Sequence, residues 1–549
     1  MRKKQNVRHV ILETVRVHLG LSLGILGAVA GAIVMALLPP MLLGRVIDTL
    51  TAGKHLPMVL AVLYYVCLAL TGILESVREG LLTAFGQKMT HALRSALMEK
   101  YTRLTTDALT SQEPGTVVSR FVGDVDTVEN LFTAGIVSMF ADACKIVSIL
   151  VVVWLRNRGL ALVLLVLLPG LYLFTRTVQK RMLEAQLQNR RAVGRASGYV
   201  PETVHNIRTI HCLAREKFME ERYDGAIVEG FRATQRTNFY DAVYSPVILT
   251  LNAVVVATVM LFSASGNPGV LRLFGMSAGT AVTVINYISQ IFTPVESLGM
   301  EIQTIQSAVA GVHRLNEFFR LEERCRESGA LPKAEEAKDA VRLEDVTFAY
   351  GKEGEKPVLN GLSLSVRQGE QVTLSGRTGA GKSTILKLLL GLYVPQSGKV
   401  LVAGMPASGI PDGERRKIFG YVEQSFHMVP GTVREQITLY DPAIGEEAVK
   451  KAARMVGLDT VIQGLALGYD TPCTPELFSQ GQWQLLSIAR AVAADPGILL
   501  LDEITASLDA QTETEVLEAL RRSAANRTVI SISHRTHAQM GRTISVSPE

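Results

Sequence analysis

The stretch Gly376-Arg377-Thr378-Gly379-Ala380-Gly381-Lys382-Ser383 decides half of the fold. It matches G-x-x-x-x-G-K-S in full, and its surroundings match too. A strand, Gln371–Ser375, leads into it and a helical run, Thr384–Leu390, leads out. That context separates a phosphate loop from a chance glycine-rich turn. The glycines let backbone N–H groups wrap phosphates, and the helix N-terminus favours the anion. Lys382 reaches the β/γ-phosphates, and the Ser383 hydroxyl suits Mg²⁺. The chemistry predicted here is binding of nucleotide phosphates with Mg²⁺.

Outward from the loop, VRLEDVTFAY (341–350) and LSLSVRQGEQVTLSG (362–376) alternate as strands do. Further on, Gly497-Ile498-Leu499-Leu500-Leu501-Asp502-Glu503 is an apolar strand ending in two carboxylates. In a chain with a phosphate loop, Asp502 is positioned for the Mg²⁺ shell. Glu503 is positioned to orient or deprotonate a water. Residues 341–549 thus read as an α/β nucleotide-binding domain with a phosphate loop. A charged, Ala-rich linker, 321–340, precedes it.

The rest of the chain is of another kind. Of 549 residues, 48% are hydrophobic and only 19% charged, and the mean hydropathy is +0.24. An average soluble domain carries about 25% charge. Apolar runs concentrate in 1–320: Leu19–Leu43, Leu56–Leu74, Ile136–Leu155, Leu160–Phe174, Val247–Phe262 and Met276–Phe292. A helical span needs about 20 apolar residues. These six predict an all-α, six-helix transmembrane domain in a cell membrane. The basic start MRKKQNVRHV reads as retained and cytoplasmic, which puts 80–130, 177–240 and the nucleotide-binding domain on the cytoplasmic side. Arg156 and Arg158, on a predicted outer turn, run against that rule. Segments 80–130 and 177–240 keep helical periodicity among many charges, so they read as helices continuing into the cytosol. Their turn-arounds are expected near Gly115–Asp126 and Val200–Ile210. The net charge of +5 gives no electrostatic support for a nucleic-acid partner. The five scattered cysteines suggest neither a disulfide framework nor a zinc site.

With these residues in hand, the chain resembles a half-transporter of the ATP-binding cassette superfamily, of the six-helix exporter type. Tyr350 matches the family's adenine-stacking aromatic. Gln424 matches the glutamine that senses Mg²⁺ and contacts the membrane domain. Phe478-Ser479-Gln480-Gly481-Gln482 sits where the signature Leu-Ser-Gly-Gly-Gln belongs, ahead of Ile488-Ala489-Arg490-Ala491. Ala506-Ser507-Leu508-Asp509 resembles the loop after the second carboxylate, and His534 matches the switch histidine. In the membrane half, Gly115–Arg120 with Asp124-Val125-Asp126, Glu202–Glu216, and Pro294 to Arg314 resemble the two coupling regions and the end of the sixth helix. The resemblance implies that two cassettes close head to tail around two ATP molecules. Each nucleotide then lies between one chain's phosphate loop and the other's signature, so a second half-transporter chain is the implied partner.

The departures are informative. Gln480 replaces the first glycine of the signature pair, where glycine lets backbone approach the γ-phosphate. Trp483 stands where the family has a basic residue, and the loop Cys473–Leu477 is short. In this family a degenerate signature on one chain accompanies a degenerate carboxylate on the other, which favours a heterodimer over a homodimer. Export of a small molecule, lipid or peptide is the main reading. A siderophore-type importer of the same fold and a regulatory ATP-binding subunit are the alternatives. The intact Glu503 and His534 weigh against the last.

Three features of the spans have two readings each. Asp142 and Lys145 form either a substrate-path pair or a self-neutralising intrahelical ion pair. Asn286, Gln290 and Glu296 line either a cavity or a helix–helix seam. Pro39-Pro40 predicts a kink.

Overall fold

The computed structural model describes residues 6–156, 158–263, 277–324, 339–351, 356–504, 510–533 and 540–546. His534, Ala506–Asp509, most of the 321–340 linker and the Glu296 side chain lie outside the described residues. The chain divides into two compact units: Met1–Lys100 with Glu113–Leu321, and Tyr101–Gln112 with Glu322–Glu549.

The first unit is helical. A short α1 (Val7–Val17) precedes α2 (Leu19–Thr51) and α3 (Met58–Tyr101). After the short α4 (Thr106–Thr110), which belongs to the second unit, come α5 (Pro114–Ser119), α6 (Val125–Asn130) and α7 (Ile136–Arg156). The last three are joined by π-helical turns at Arg120–Asp124 and Leu131–Gly135. Then follow α8 (Arg158–His205), α9 (Ile207–Cys212), α10 (Glu216–Ser263) and α11 (Ala278–Arg320). Among the described residues, Leu19–Thr51, Met58–Tyr101, Pro114–Leu155 and Glu216–Thr258 are long and apolar enough to cross a membrane. The expected span Leu160–Phe174 lies within α8, and most of Met276–Phe292 lies within α11. Helices α3, α8 and α10 run for 44, 48 and 48 residues, far beyond a bilayer's thickness. Their polar halves are therefore continuations of the spans.

The first turn-around differs from expectation. Gly115–Asp126 is helical, and the chain reverses between Tyr101 and Pro114. Gly115 is preceded by Pro114 at the first helical turn, which starts a helix rather than breaking one. The second reversal falls at Asn206 and Leu213–Arg215, around α9. Pro39 and Pro40 lie inside α2, which continues through them. Proline removes an N–H, and the freed carbonyls must be satisfied where no water reaches. Thr71 Oγ1 donates to the Met35 carbonyl (3.3 Å), the one that Pro39 leaves without its helical N–H, and Thr283 Oγ1 adds a bond to the Pro40 carbonyl (2.9 Å) that ties α11 to this part of α2. The core of this region gathers Ile149 and Val153, Leu164, Ile248, and Tyr287, Ile288 and Ile291 from four helices.

The second unit has two sheets. One is antiparallel, with order β2-β1-β4-β5, formed by β1 (Asp339–Phe348), β2 (Leu359–Arg367), β4 (Ser397–Val402) and β5 (Met405–Pro406). The other is parallel, with order β6-β7-β8-β3-β9, formed by β3 (Gln371–Ser375), β6 (Phe419–Val422), β7 (Ile498–Asp502), β8 (Thr528–Ile532) and β9 (Arg542–Ser545). Both β7 and β8 are buried nearly throughout, as strands covered on both faces must be. The helices are α12 (Lys382–Leu389), α13 (Asp412–Ile418), α14 (Val433–Thr438), α15 (Glu446–Val456), α16 (Asp459–Gln463), α17 (Gln480–Val492) and α18 (Ala510–Ala524). The segment around α4 joins this unit through a bridge from Leu104 to Glu323, flanked by backbone hydrogen bonds from Thr105 N–H to the Glu322 carbonyl (3.1 Å) and from Arg324 N–H to the Arg103 carbonyl (2.8 Å).

Candidate active site

The phosphate loop leaves the carboxyl end of β3 and enters α12. Gly376, Gly379 and Gly381 have φ of +154°, +85° and +89°, values that L side chains rarely adopt. A Cβ on Gly381 would meet Leu359 Cδ2 at 2.6 Å, and one on Gly376 would strike the Val546 carbonyl. Glycine is thus required twice over. Ala380 is buried, and Arg377 and Thr378 complete the turn with their side chains outward. Lys382 is buried, and its ammonium bonds the Gly376 and Arg377 carbonyls at 2.9 and 3.0 Å. It is held at the mouth of the loop, where a phosphate would meet it.

The strand order brings the remaining candidates into a row. All five strands are parallel, so their carboxyl ends share one edge. Along that edge, Gln424 follows β6, Glu503 follows β7 and the loop follows β3. Strand β8, which leads toward His534, lies between the last two. Ser383 Oγ lies 3.4 Å from Asp502 Oδ1. A hydroxyl and a carboxylate converging with oxygen donors alone fit a hard divalent cation such as Mg²⁺. Burial pushes the Asp502 carboxyl above its ordinary value, and the neighbouring Glu503 charge adds to this. The Tyr421 phenol lies beside Asp502, and burial, followed by the carboxylate charges, holds its proton on. Gln424 is exposed just past its strand.

Glu503 has φ of +43° and donates its N–H to the Ile532 carbonyl at 3.3 Å. A non-glycine residue in the left-handed region costs on the order of 1 kcal/mol. Tertiary structure therefore holds this carboxylate's backbone in a strained turn.

Tyr350 packs edge-on against Phe348 and Tyr393, with ring centroids 5.0 and 5.3 Å away. Its hydroxyl lies 3.0 Å from Thr384 Oγ1, which ties the aromatic to the first turn of α12. Lys387 Nζ sits 5.4 Å from its ring centre.

The signature residues are built differently. Ser479 caps α17, and Ser479 and Gln482 form a reciprocal capping box. Gly481 is buried so closely against Thr512 that a side chain would collide with it. Gln480 is exposed at the first helical position. Among the described residues, Ser479 and Gln482 hydrogen-bond each other, Gly481 packs on Thr512, and no hydrogen bond joins the signature to the phosphate loop. The chain thus brings loop, Ser383, Asp502 and Glu503 together and leaves its signature facing elsewhere.

Sequence reading missed an aromatic cluster beside the signature. Trp483 stacks on Phe426 (4.9 Å, 29°) and meets Phe478 edge-on (5.1 Å). Arg490 covers Phe426 at 4.2 Å and donates to the His427 and Gln436 carbonyls at 3.0 and 2.6 Å. Burial pushes this guanidinium down to about 10. The cluster ties the segment after Gln424 to the signature helix. Its sequence signal was an unusual tryptophan, with nothing nearby to name its partners. In the membrane unit, Asp142 has Glu301 as a hydrogen-bond partner and both Lys145 and Arg78 as neighbouring cations, so its environment is wider than an intrahelical pair. The Asn286 amide donates to its own helix, at the Val282 carbonyl (2.9 Å).

A phosphate loop, two consecutive carboxylates at the end of β7 and a separate helical membrane unit define an ATP-driven membrane transporter. The family model described as "ABC transporter transmembrane region" matches residues 21–295, and that described as "ABC transporter" matches 359–506. A putative ABC transporter ATP-binding protein, exp8, of Streptococcus pneumoniae is 30% identical over 90% of this chain and 84% of that protein. The ATP-dependent lipid A-core flippase of Syntrophus aciditrophicus is 26% identical over 88% of this chain and 79% of its own. The structure of a bacterial Atm1-family ABC exporter with ATP bound superposes with a TM-score of 0.77 and 23% identity, covering 96% of this chain and 93% of that one. The chain belongs to the ABC transporter family. It has the exporter fold, with a helical membrane domain followed by an α/β nucleotide-binding domain. It is an integral membrane protein whose nucleotide-binding domain is cytoplasmic, and an ATPase coupled to transport.

Proposed function

We propose that this chain is one half of a heterodimeric ABC exporter of a small molecule, lipid or peptide, working by alternating access. The observation that carries the heterodimer reading is the exposed Gln480 at the first turn of α17, in a chain that keeps Glu503. Relatives named as a putative multidrug export protein of Bacillus subtilis and as a lipid A-core flippase support export as the direction.

In this reading the productive site uses this chain's phosphate loop, with Lys382 on the β/γ-phosphates and Tyr350 against the adenine. Ser383, Asp502 and Gln424 would hold Mg²⁺, which neutralises charge developing on the phosphoryl oxygens. Glu503 accepts a proton from, or orients, the attacking water, and His534 steadies the γ-phosphate. The partner's signature closes the site. The second site, closed by this chain's Gln480-bearing signature, binds ATP more than it turns it over. Positioning dominates phosphoryl transfer, and a side chain at Gln480 disturbs it on one side only.

Steady-state ATPase of the assembled transporter tests this. Glu503→Gln removes nearly all turnover and leaves ATP binding intact, while Gln480→Gly changes turnover much less. Retention of about half the activity in the Glu503→Gln complex would mean two equivalent sites and would refute the asymmetry.

A further inference from the structure

The α8–α10 pair carries a basic groove that the ATPase reading does not use. The two helices run antiparallel and are seamed by small residues. Ala192 and Ala233 are buried, and a Cβ placed on Gly230 would sit 3.7 Å from Ala192. Beside this seam opens a cavity of about 850 Å³ walled by Arg191 and Arg195 from α8 and by Arg232 and Arg236 from α10. Arg195 pairs with Glu229, and Arg236 leans on Gln188 Oε1 at 3.5 Å. Among the described residues, neither Arg191 nor Arg232 has a carboxylate partner.

Each helix presents its two arginines four residues apart, hence on one face. Basic residues near a span set topology and need no further role. Topology does not require four of them to converge on one groove from two helices. Like charges lining a concave surface focus the field and raise the local concentration of anions. The planar guanidinium forks match phosphate oxygens two at a time.

Position narrows the ligand. Arg191 lies 17 residues beyond Phe174 and Arg236 lies 11 before Val247. At 1.5 Å per residue these are roughly 25 and 16 Å of helix past the apolar runs. The headgroup layer is only some 5–8 Å deep on each side. The groove therefore faces cytosol.

We propose that this groove is a binding site for a soluble cytoplasmic anion bearing phosphate or pyrophosphate groups. The site is separate from the phosphate loop and goes beyond the exporter reading. It stands whether or not the transporter is a heterodimer.

The test uses the full chain carrying Lys382→Ala, so that the nucleotide site does not contribute, in uncharged detergent with inorganic pyrophosphate as the probe. Calorimetry is expected to show saturable binding that weakens by about tenfold or more in Arg191→Gln/Arg232→Gln. Arg191→Lys/Arg232→Lys is expected to fall between the two, because the charge remains and the fork is lost. An unchanged thermal midpoint in both variants separates this from misfolding. Equal affinity in parent and glutamine variant overturns the proposal. Groove-dependent stabilisation by phosphatidylglycerol nanodiscs without pyrophosphate binding also overturns it, in favour of a lipid headgroup. So does pyrophosphate binding that vanishes when the dimer assembles, which would assign the groove to an acidic segment of the partner. Loss of ATPase coupling alone leaves this binding unmoved, so the two readings fail independently.

Discussion

Arg314 clasps the carboxylate of Asp124, with its Nε 3.0 Å from both oxygens. Asp124 is only 4% exposed and sits in the π-helical turn before α6; Arg314 is near the end of α11 and half exposed. The carboxylate holds the guanidinium above its ordinary pKa, chiefly through the hydrogen bond. Residues 190 apart in sequence thus join the third span's cytoplasmic extension to the sixth's.

Arg314→Ala leaves a buried carboxylate without its cation. For fully buried pairs that loss is about 3–5 kcal/mol. Solvent reaches this arginine, so the expected cost is about 1–3 kcal/mol. Thermal unfolding of the purified chain should show a midpoint lowered by several degrees. Adding Asp124→Asn should recover most of the loss, because the orphaned charge is gone. A double variant as unstable as the single would show that the pair is not the cause.

Lys382→Ala removes a charge from the mouth of the phosphate loop. A charge-assisted hydrogen bond contributes about 1.5–3 kcal/mol, so ATP affinity of the full chain should fall by roughly ten- to hundredfold. Fluorescent-nucleotide titration measures it. Unchanged affinity would place the nucleotide elsewhere.

Glu503 is strained at φ +43°. Glycine adopts that conformation freely, whereas alanine does not. Both Glu503→Gly and Glu503→Ala should abolish turnover, but the glycine variant should be the more stable by about 0.5–1 kcal/mol. Comparing their thermal midpoints decides whether the strain is real.

Trp483→Arg restores the family's usual basic residue and removes the stack on Phe426 and the edge contact with Phe478. Such aromatic contacts contribute about 0.5–1.5 kcal/mol each beyond area burial. The variant should lose stability and loosen the segment after Gln424, seen as faster amide exchange at Phe426 and His427. Unaltered exchange would mean the cluster does not anchor that segment.

The phosphate loop, the terminal carboxylates of β7 and the apolar spans were legible in the sequence because each is a local pattern. Glycines are needed at fixed offsets for positive φ, a buried strand is a continuous apolar run, and a bilayer demands length. The capping box at Ser479 and Gln482 is local for the same reason. Contacts between distant segments left no such trace. Nothing in the spacing of Tyr421 and Asp502, or of Asp124 and Arg314, announces that they meet. The strand order that sets β8 between β7 and β3, and so aligns Glu503 with the loop, is decided by how the chain crosses over. The first turn-around was expected too late in the chain: Pro114 opens a helix, and Gly115–Asp126 lies in the helical run that follows it. The sequence by itself determined which segments cross the membrane and which one cradles phosphate. Only the tertiary structure decided the partners of the buried charges, because pairing depends on chain path, and many paths satisfy the same local pattern.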